Sequence, residues 1–353
     1  MPFSRFFKKS YKEEFEALLG QLRFCRTKSD FIVLSPIPTG YSWMGVYNGG
    51  KSMFAENFTG LPHYYSNSVF NEEQLAKLAQ ELAALGFNQI LFNGFAPYFS
   101  GLIQDIKKEQ PGVITGVIYH GFPAEISGNE TVQTALNGII HLSKSGSLQK
   151  MGFAKKGFGA AFEKLFGIPA FELIYINPEP LKQIEKYNDG KTHIGVLVNN
   201  SFRKNFHTQV MAGLLVENSV VHVLDASELG YLEAGERIVA HGQQQHADFI
   251  KLLAAMDLNM HVTFSEASGG QVCSESISQG VPCLSGYTSS FFDYNEELRN
   301  TLVVEGGDDP YFIYLKAKEV LAQKGLGEKC AAYGAYLNTL ARERIEKFLA
   351  YKP

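Results

Sequence analysis

The chain has 353 residues, of which 45% are hydrophobic and 19% charged, and its formal net charge at pH 7 is −4. This composition is typical of a globular protein with an ample core, and the length favours two domains. The negative charge argues against nucleic acid held by bulk electrostatics, and no apolar run approaches the roughly 20 residues that span a bilayer.

The four cysteines are scattered, and no two of them have the CxxC spacing of a zinc or redox site. They predict reduced thiols in a cytoplasmic protein without a zinc site. The N-terminal residues include basic side chains and phenylalanines but no continuous apolar stretch typical of a signal peptide.

Residues 3–24 combine phenylalanine, leucine and basic residues at helical spacing, which predicts an amphipathic helix. Two interpretations stay open. Either the helix packs on its own domain, or its basic, aromatic face lies on an anionic membrane surface.

A predicted strand at residues 31–34 precedes a long stretch, residues 35–68, that is rich in Gly, Pro, Tyr and Asn. So long a segment without a clear helical or strand pattern is usually functional. Aromatic rings stack on sugar faces and amides bind hydroxyls, so Tyr41, Trp43 and Asn48 are candidates for binding a carbohydrate acceptor. The alternative is a covering loop whose aromatic side chains belong to the core.

From residue 71 onward, strands and helices alternate, which indicates a parallel, doubly wound sheet. Asn71 and Gly86 are the predicted caps of a helix between them. The pattern also predicts strands at 89–92, 113–119 and 138–143 and a helix at 97–108. Ligands bind beyond the carboxyl ends of such strands, and His120 lies at one of these ends.

Residues 178–191 are polar and contain Pro and Gly, which is typical of an interdomain linker. A strand at 192–198 then leads through a turn into a helix. Arg203 and Lys204 stand near the start of that helix, where two cations would strengthen an anion site at the helix dipole. The alternative is that both are solvated surface cations.

Residues 256–286, MDLNMHVTFSEASGGQVCSESISQGVPCLSG, predict one βαβ unit. A strand at 260–264 leads through a Gly-rich turn into a helix at 272–279. Backbone N–H groups at such a turn lie at the positive end of the helix dipole and bind anions, phosphate above all. The turn residues expected at this anion site are Ser268, Gly269 and Gly270.

Two glutamates flank the anion site: Glu266 precedes the helix and Glu275 lies within it. A carboxylate repels phosphate but accepts hydrogen bonds from the hydroxyls of a sugar or a ribose. The combination therefore suggests a nucleotide-sugar as the ligand. The alternative is a generic βαβ turn with two solvated glutamates.

The order of strand, Ser-Glu, Gly-rich turn, second glutamate and Gly-Val-Pro resembles the donor-site signature of GT-B glycosyltransferases, family 4 in particular. In that family seven residues usually separate the two glutamates, whereas eight separate Glu266 from Glu275. The family also has an Arg and a Lys, usually with four residues between them, in the loop that here holds the adjacent Arg203 and Lys204. The resemblance covers nearly the whole second domain and, more loosely, residues 114–178.

The resemblance implies that the second domain binds the donor, with a UDP- or GDP-sugar expected and no other cofactor. Arg203 and Lys204 would hold the diphosphate. Glu275 would bond the ribose hydroxyls, and Gly242 would lie beside the nucleotide base. The chain has no Asp-x-Asp motif for a divalent metal, so the two cations and the helix N-termini would replace the metal's charge.

The resemblance also implies the catalytic residues and the architecture. Glu266 would bond the transferred sugar, and His120 would face it. The implied fold is α/β, with two Rossmann-like parallel-sheet domains facing a cleft that closes to exclude water. The expected boundaries are 1–177 for the acceptor-side domain, 178–191 for the linker, 192–330 for the donor domain and 331–353 for a C-terminal helix that packs back on the first domain.

The predicted function is transfer of a sugar from a nucleotide-sugar to a glycan, lipid-linked or macromolecular acceptor, with retained configuration and without metal. Three alternatives stay open: another GT-B activity such as a nucleotide-sugar epimerase, a non-catalytic GT-B subunit that binds a sugar or a partner protein, and a transferase acting on DNA or protein. In the last case residues 35–68 and the basic segment at Lys155 and Lys156 would form the docking surface.

Overall fold

The computed structural model describes residues 11–37, 44–61, 63–64, 67–68, 71–127, 129–266 and 270–353. The chain divides into two compact units. Unit 1 comprises the residues up to Leu173 together with Ile345–Pro353, and unit 2 comprises Ile174–Arg344. Each unit has a hydrophobic core of its own.

Unit 1 is built on a parallel sheet with surrounding helices. Its described strands have the order β2-β1-β5-β6-β7-β8, and β3 and β4 form a separate antiparallel pair. The elements are α1 (Tyr11–Lys28), β1 (Phe31–Pro36), α2 (Met44–Phe54), β2 (Phe58–Leu61), β3 (His63–Tyr64), β4 (Asn67–Ser68), α3 (Glu72–Leu85), β5 (Gln89–Asn93), α4 (Phe99–Glu109), β6 (Ile114–Tyr119), α5 (Glu130–Lys144), β7 (Lys150–Phe153), α6 (Phe158–Phe166) and β8 (Ala170–Glu172).

Unit 2 repeats this plan. Its described strands have the order β11-β10-β9-β12-β13-β14 and are all parallel. The elements are β9 (Thr192–Val196), α7 (Phe206–Leu215), β10 (Ser219–Val223), β11 (Ile238–Ala240), α8 (His246–Ala255), β12 (Leu258–His261), α9 (Gln271–Ser278), β13 (Cys283–Gly286), α10 (Glu296–Leu302), β14 (Val303–Val304), α11 (Pro310–Leu321) and α12 (Leu326–Ala350), whose last residues belong to unit 1. The predicted α/β class with two parallel-sheet units is confirmed.

Each sheet reverses its direction of growth at one strand. In unit 1 the chain passes from β1 to its neighbour β2 and later returns to β5 on the other side of β1. In unit 2 it passes from β9 through β10 to β11 and returns to β12 on the other side of β9. Such a reversal opens a crevice beyond the carboxyl ends of the two strands, which is where sheets of this class bind ligands.

Helix α3 begins and ends where the sequence predicts. The Asn71 side chain accepts from the Gln74 N–H at 2.9 Å, and the Gln74 side chain accepts from the Asn71 N–H at 2.8 Å. Gly86 ends the helix with φ 69°, a conformation that costs glycine little. A cap of this kind contributes about 1 kcal/mol to helix stability, and the helix then buries Leu78 and Leu82 in the core of unit 1.

Three predicted elements need correction. Residues 138–143 lie in α5 rather than in a strand, because Asn129 caps this segment as a helix and its buried residues follow a helical spacing. Residues 35–68 are not an irregular loop throughout, since they contain α2 and β2. The strand predicted at 260–264 is shifted and spans Leu258–His261.

A fully buried lysine fastens the end of α12 within unit 1. Lys150 Nζ, on β7, donates to the Phe348 carbonyl at 2.6 Å and to Gln89 Oε1 at 2.7 Å. The Gln89 amide in turn donates to the Leu349 carbonyl at 2.8 Å. These bonds satisfy carbonyls that a helix C-terminus leaves without intrahelical partners. Burial lowers the pKa of Lys150 to about 8.

Candidate functional site

The unit 2 candidate site lies at the sheet reversal between β9 and β12. The loop after β9 forms a short 3₁₀ turn, Phe202–Lys204, which presents Arg203 and Lys204. The loop after β12 carries Glu266. Two bonds join the loops: the Phe264 N–H donates to the Arg203 carbonyl at 3.0 Å, and the Arg203 guanidinium donates to the Ser265 carbonyl at 3.0 Å.

Glu266 is the centre of a compact charged cluster. Its side chain is only 9% exposed. One of its oxygens, Oε2, lies 2.5 Å from Lys204 Nζ, 3.0 Å from His261 Nε2 and 3.5 Å from Arg203. The structure thus brings the predicted residues Arg203, Lys204 and Glu266 together. It adds a fourth member, His261, that the sequence did not predict as a site residue.

The protonation states of this cluster follow from its charges. Burial by itself would raise the pKa of Glu266, but Lys204, His261 and Arg203 together hold it well below its usual range. Burial and the neighbouring Lys204 lower the pKa of His261. Glu266 is therefore an anion and His261 a neutral imidazole at neutral pH, with the Nε2 proton donated to the carboxylate.

Gly270 is packed directly against this imidazole. Its φ is 71°, in the region that favours glycine, and a Cβ at this position would overlap His261 Nε2. Gly270 is also the N-cap of α9, the helix whose N-terminus was predicted to bind an anion. The absence of a side chain thus lets the helix N-terminus approach the Glu266 cluster. Ser268 and Gly269 lie outside the described residues.

Glu275 forms a second pair, one turn further along α9. It is buried, and its Oε1 lies 2.7 Å from Nε2 of His246, the first residue of α8. Burial raises the pKa of Glu275, while His246 opposes the rise. The prediction of a functional carboxylate here did not include this histidine. Gly242 follows β11 with φ 69° and is exposed.

In unit 1 His120 lies directly after β6 and is bonded to the last residue of β5. Its Nε2 lies 2.7 Å from Asn93 Oδ1. The Asn93 amide group donates to Ser35 Oγ at 3.0 Å and to the Val46 carbonyl at 2.9 Å. Because Asn93 Oδ1 must then accept, His120 carries its proton on Nε2 and presents Nδ1 as an acceptor.

Burial lowers the pKa of His120 to about 3, so the imidazole is neutral. It borders a cavity of about 220 Å³, whose lining includes Val46, Phe95, Glu125 and Val132. Asn48 lies half-buried on α2. Tyr41 and Trp43, the other predicted acceptor contacts, lie outside the described residues.

Three partners of the predicted residues were missed by sequence reasoning. His261 belongs to a buried strand, where a histidine looks like any core residue, although its place at the strand's carboxyl end was a usable signal. His246 follows a polar stretch that looks like an ordinary loop, and it lies 29 residues before Glu275 in the sequence. Asn93 is 27 residues before His120, and only the pairing of β5 with β6 brings the two together.

Two further observations concern metals and membranes. Among the residues that the structure describes, no group of three or more His, Cys, Asp or Glu is arranged to hold a metal ion. None of the described helices combines the length and apolar character needed to cross a bilayer.

The solved structures that share this fold include glycosyltransferases. HepE of Anabaena, solved in complex with UDP, is 12% identical, with a TM-score of 0.63 over 91% of this chain and 99% of that one. A glycosyltransferase from Rickettsia africae has the same values. A sucrose-phosphate synthase from Thermosynechococcus elongatus is 13% identical, with a TM-score of 0.57 over 90% of this chain and 94% of that one.

No family model matches the chain, and no curated protein sequence is significantly similar to it. At identities this low the likeness establishes the fold and nothing finer. The chain therefore has the GT-B fold, as the sequence predicted.

Proposed function

We propose that the chain is a glycosyltransferase that moves a sugar from a nucleotide-sugar to an acceptor, with retained configuration and without a metal ion. The observation that carries the proposal is the convergence of Arg203, Lys204 and Glu266 with the N-terminus of α9 at the sheet reversal of unit 2. Two cations and a helix N-terminus suit the diphosphate of the donor.

The remaining roles follow from the chemistry of each group. Glu275, ionised with the help of His246, accepts hydrogen bonds from the ribose. Glu266 bonds the transferred sugar. As the donor breaks, negative charge grows on the departing nucleoside diphosphate, and Arg203 and Lys204 stabilise it. Fixed charges of this kind are usually the largest single contribution to such catalysis, amounting to several kcal/mol.

Unit 1 supplies the acceptor side in this proposal. The neutral His120, fixed by Asn93, borders the 220 Å³ cavity, where an acceptor sugar would lie beside it. Three further parts belong to the same proposal. Membership of family 4 rests on the sequence resemblance, the sugar acceptor on the aromatic and Asn residues of segment 35–68, and the location at a membrane surface on the basic amphipathic helix expected at residues 3–24.

The first test measures thermal stability of the full chain with UDP-, GDP-, ADP-, CMP- and dTDP-sugars in EDTA, since a ligand that binds only the folded state raises the melting temperature. UDP-glucose is the first probe, because HepE has been solved with it. Glu275→Ala should abolish the shift, whereas Glu319→Ala, an exposed glutamate of the same unit, should keep it. If the melting temperature rises only when manganese or magnesium is added, the proposal that the protein binds its donor without a metal ion is contradicted.

Turnover is measured separately as UDP release with and without candidate acceptors. Donor binding without release under any condition would favour the non-catalytic sugar-binding alternative. No shift with any nucleotide-sugar would contradict the proposal as a whole.

A further inference from the structure

The charge balance at the Glu266 cluster has a consequence for ligand choice. Lys204 is only 15% exposed in its side chain and lies 2.5 Å from Glu266 Oε2, so its charge is largely neutralised by a neighbour within the protein. An anionic ligand that binds Lys204 competes with this carboxylate for the charge of the ammonium group, and the two anions repel each other if both remain there.

We propose that Glu266 acts as a built-in competitor for anions and so makes the site selective for ligands that carry two phosphate groups. The proposal rests on the function proposed above and specifies how its donor site discriminates. It makes Glu266 a specificity-determining residue in addition to its expected contact with the sugar.

The geometry explains why a diphosphate would win the competition. Glu266 Oε2 lies 2.5 Å from Lys204 Nζ but 3.5 Å from the Arg203 guanidinium, so this oxygen forms a close ion pair with Lys204 and only a long one with Arg203. A diphosphate has two anionic groups and can contact both cations at once. A single phosphate or carboxylate brings little that Glu266 does not already supply.

The loops also keep the competitor in place. The Arg203 guanidinium is bonded to the Ser265 carbonyl, next to Glu266, and the Phe264 N–H is bonded to the Arg203 carbonyl. Glu266 is therefore tethered beside the cations at a high effective concentration. Once displaced from Lys204, its carboxylate keeps the hydrogen bond from His261, 3.0 Å away, so displacement does not leave it a buried charge without a donor.

The test uses probes that contain no sugar, which separates this role of Glu266 from its expected contact with the donor sugar. Calorimetric titration of the full chain with inorganic pyrophosphate and inorganic phosphate gives both affinities. Glu266→Gln, which keeps the shape and a hydrogen-bond acceptor, should bind pyrophosphate about tenfold more tightly than wild type, the scale of one partly buried ion pair. Its discrimination against inorganic phosphate should fall at the same time.

A double-mutant cycle distinguishes competition from a general structural effect. In a Lys204→Met background the gain from Glu266→Gln should shrink to less than about twofold, because no Lys204 charge is left to release. If Glu266→Gln does not fold, Glu266→Ser serves in its place, with the melting temperature as the check. Equal or weaker pyrophosphate binding by the Glu266 variant, or no binding by either protein, would overturn the inference.

The two proposals fail separately. Tighter pyrophosphate binding by Glu266→Gln, with no binding of any nucleotide-sugar, supports the competitor role and contradicts the proposed transferase. Binding of UDP-glucose by wild type, with no gain in pyrophosphate affinity in the variant, supports the proposed donor site and contradicts the competitor role of Glu266.

Discussion

His246 Nε2 lies 2.7 Å from Glu275 Oε1, and this contact joins the first residue of α8 to a buried carboxylate on α9. Burial raises the pKa of Glu275, and the hydrogen bond from His246 works against that rise. His246 therefore favours the ionised carboxylate, which is the form that accepts hydrogen bonds from hydroxyls.

Replacing His246 with alanine should raise the pKa of Glu275 further. The variant's affinity for UDP-glucose should then begin to fall at a higher pH than that of wild type, as Glu275 takes up a proton. Titration calorimetry at a series of pH values measures the difference. His207→Ala removes another partly exposed histidine of unit 2 and should retain the wild-type pH dependence. Parallel pH curves for wild type and His246→Ala would contradict the role of His246.

Gly270→Ala should destabilise unit 2. The new Cβ would overlap the His261 imidazole, and φ at this position is 71°. The combined strain and overlap should lower the free energy of unfolding by about 2–4 kcal/mol. Gly242→Ala is the matched control: its φ is 69°, but a Cβ there would meet open space, so only about 1 kcal/mol of strain is expected. Urea unfolding measures both variants, and equal losses would refute the packing argument.

His222 should make unit 2 sensitive to mild acid. It is the middle of a row of imidazoles: its Nε2 lies 2.8 Å from His193 Nδ1, and its Nδ1 lies 2.8 Å from His241 Nε2. Burial, followed by the neighbouring His241 and His193, lowers the pKa of His222 to about 4 from its ordinary value of 6.5. Between these two pH values the unfolded chain binds more protons than the folded chain, so stability falls as the pH falls through this window.

His222→Gln removes this titration while keeping one donor and one acceptor. When the pH is lowered from 6.5 to about 4, the free energy of unfolding of wild type should fall by about 1–2 kcal/mol more than that of the variant. This figure includes partial screening by solvent. Chemical unfolding at both ends of the window measures the difference. A variant with the same acid sensitivity as wild type would rule out His222 as the cause.

Lys150 should produce a pH dependence of the same sign at the alkaline end. Its pKa is about 8 in the folded protein and 10.5 as an ordinary lysine, so the unfolded chain binds more protons between these values. Stability should therefore rise with pH through this window as Lys150 loses its charge.

Lys150→Met removes this titration, so the variant should gain about 1–2 kcal/mol less than wild type across the same window. Lys329→Met, which removes an exposed lysine of unit 2 that pairs with Glu297, is the control and should follow wild type. Chemical unfolding at the two pH values checks the prediction. An equal gain in Lys150→Met would exclude a contribution from the buried amine.

The sequence predicted the fold well where local signals agreed with one another. Asn71 and Gly86 mark both ends of α3 because capping is a local interaction. The βαβ unit around Glu275 was also found, since strand, turn and helix follow one another without a long insertion. The prediction of a strand at residues 138–143 was wrong because the apolar pair Ile139 and Ile140 fits a buried strand as well as a helix.

The partners of the candidate residues could not be predicted in the same way. The bond between Lys204 and Glu266 spans 62 residues and depends on β9 lying beside β12, which only the sheet order determines. His261 gave no periodic signal of its own because all residues of β12 are buried. Sequence patterns therefore indicated the candidate site residues, whereas the contacts among these residues follow only from the strand order of the sheet.

The attachment of the end of α12 to unit 1 affects the order of events during biosynthesis. Lys150 and Gln89 lie in strands that emerge early from the ribosome, but their partners at Phe348 and Leu349 are made 198 and 260 residues later, which takes roughly 10–50 s at common translation rates. Until then the Lys150 ammonium group lacks the Phe348 carbonyl and has only Gln89 Oε1 of these partners. Unit 1 therefore completes its fold only after unit 2 has been synthesised, and truncation just before Ile345 should impair the domain at the other end of the sequence.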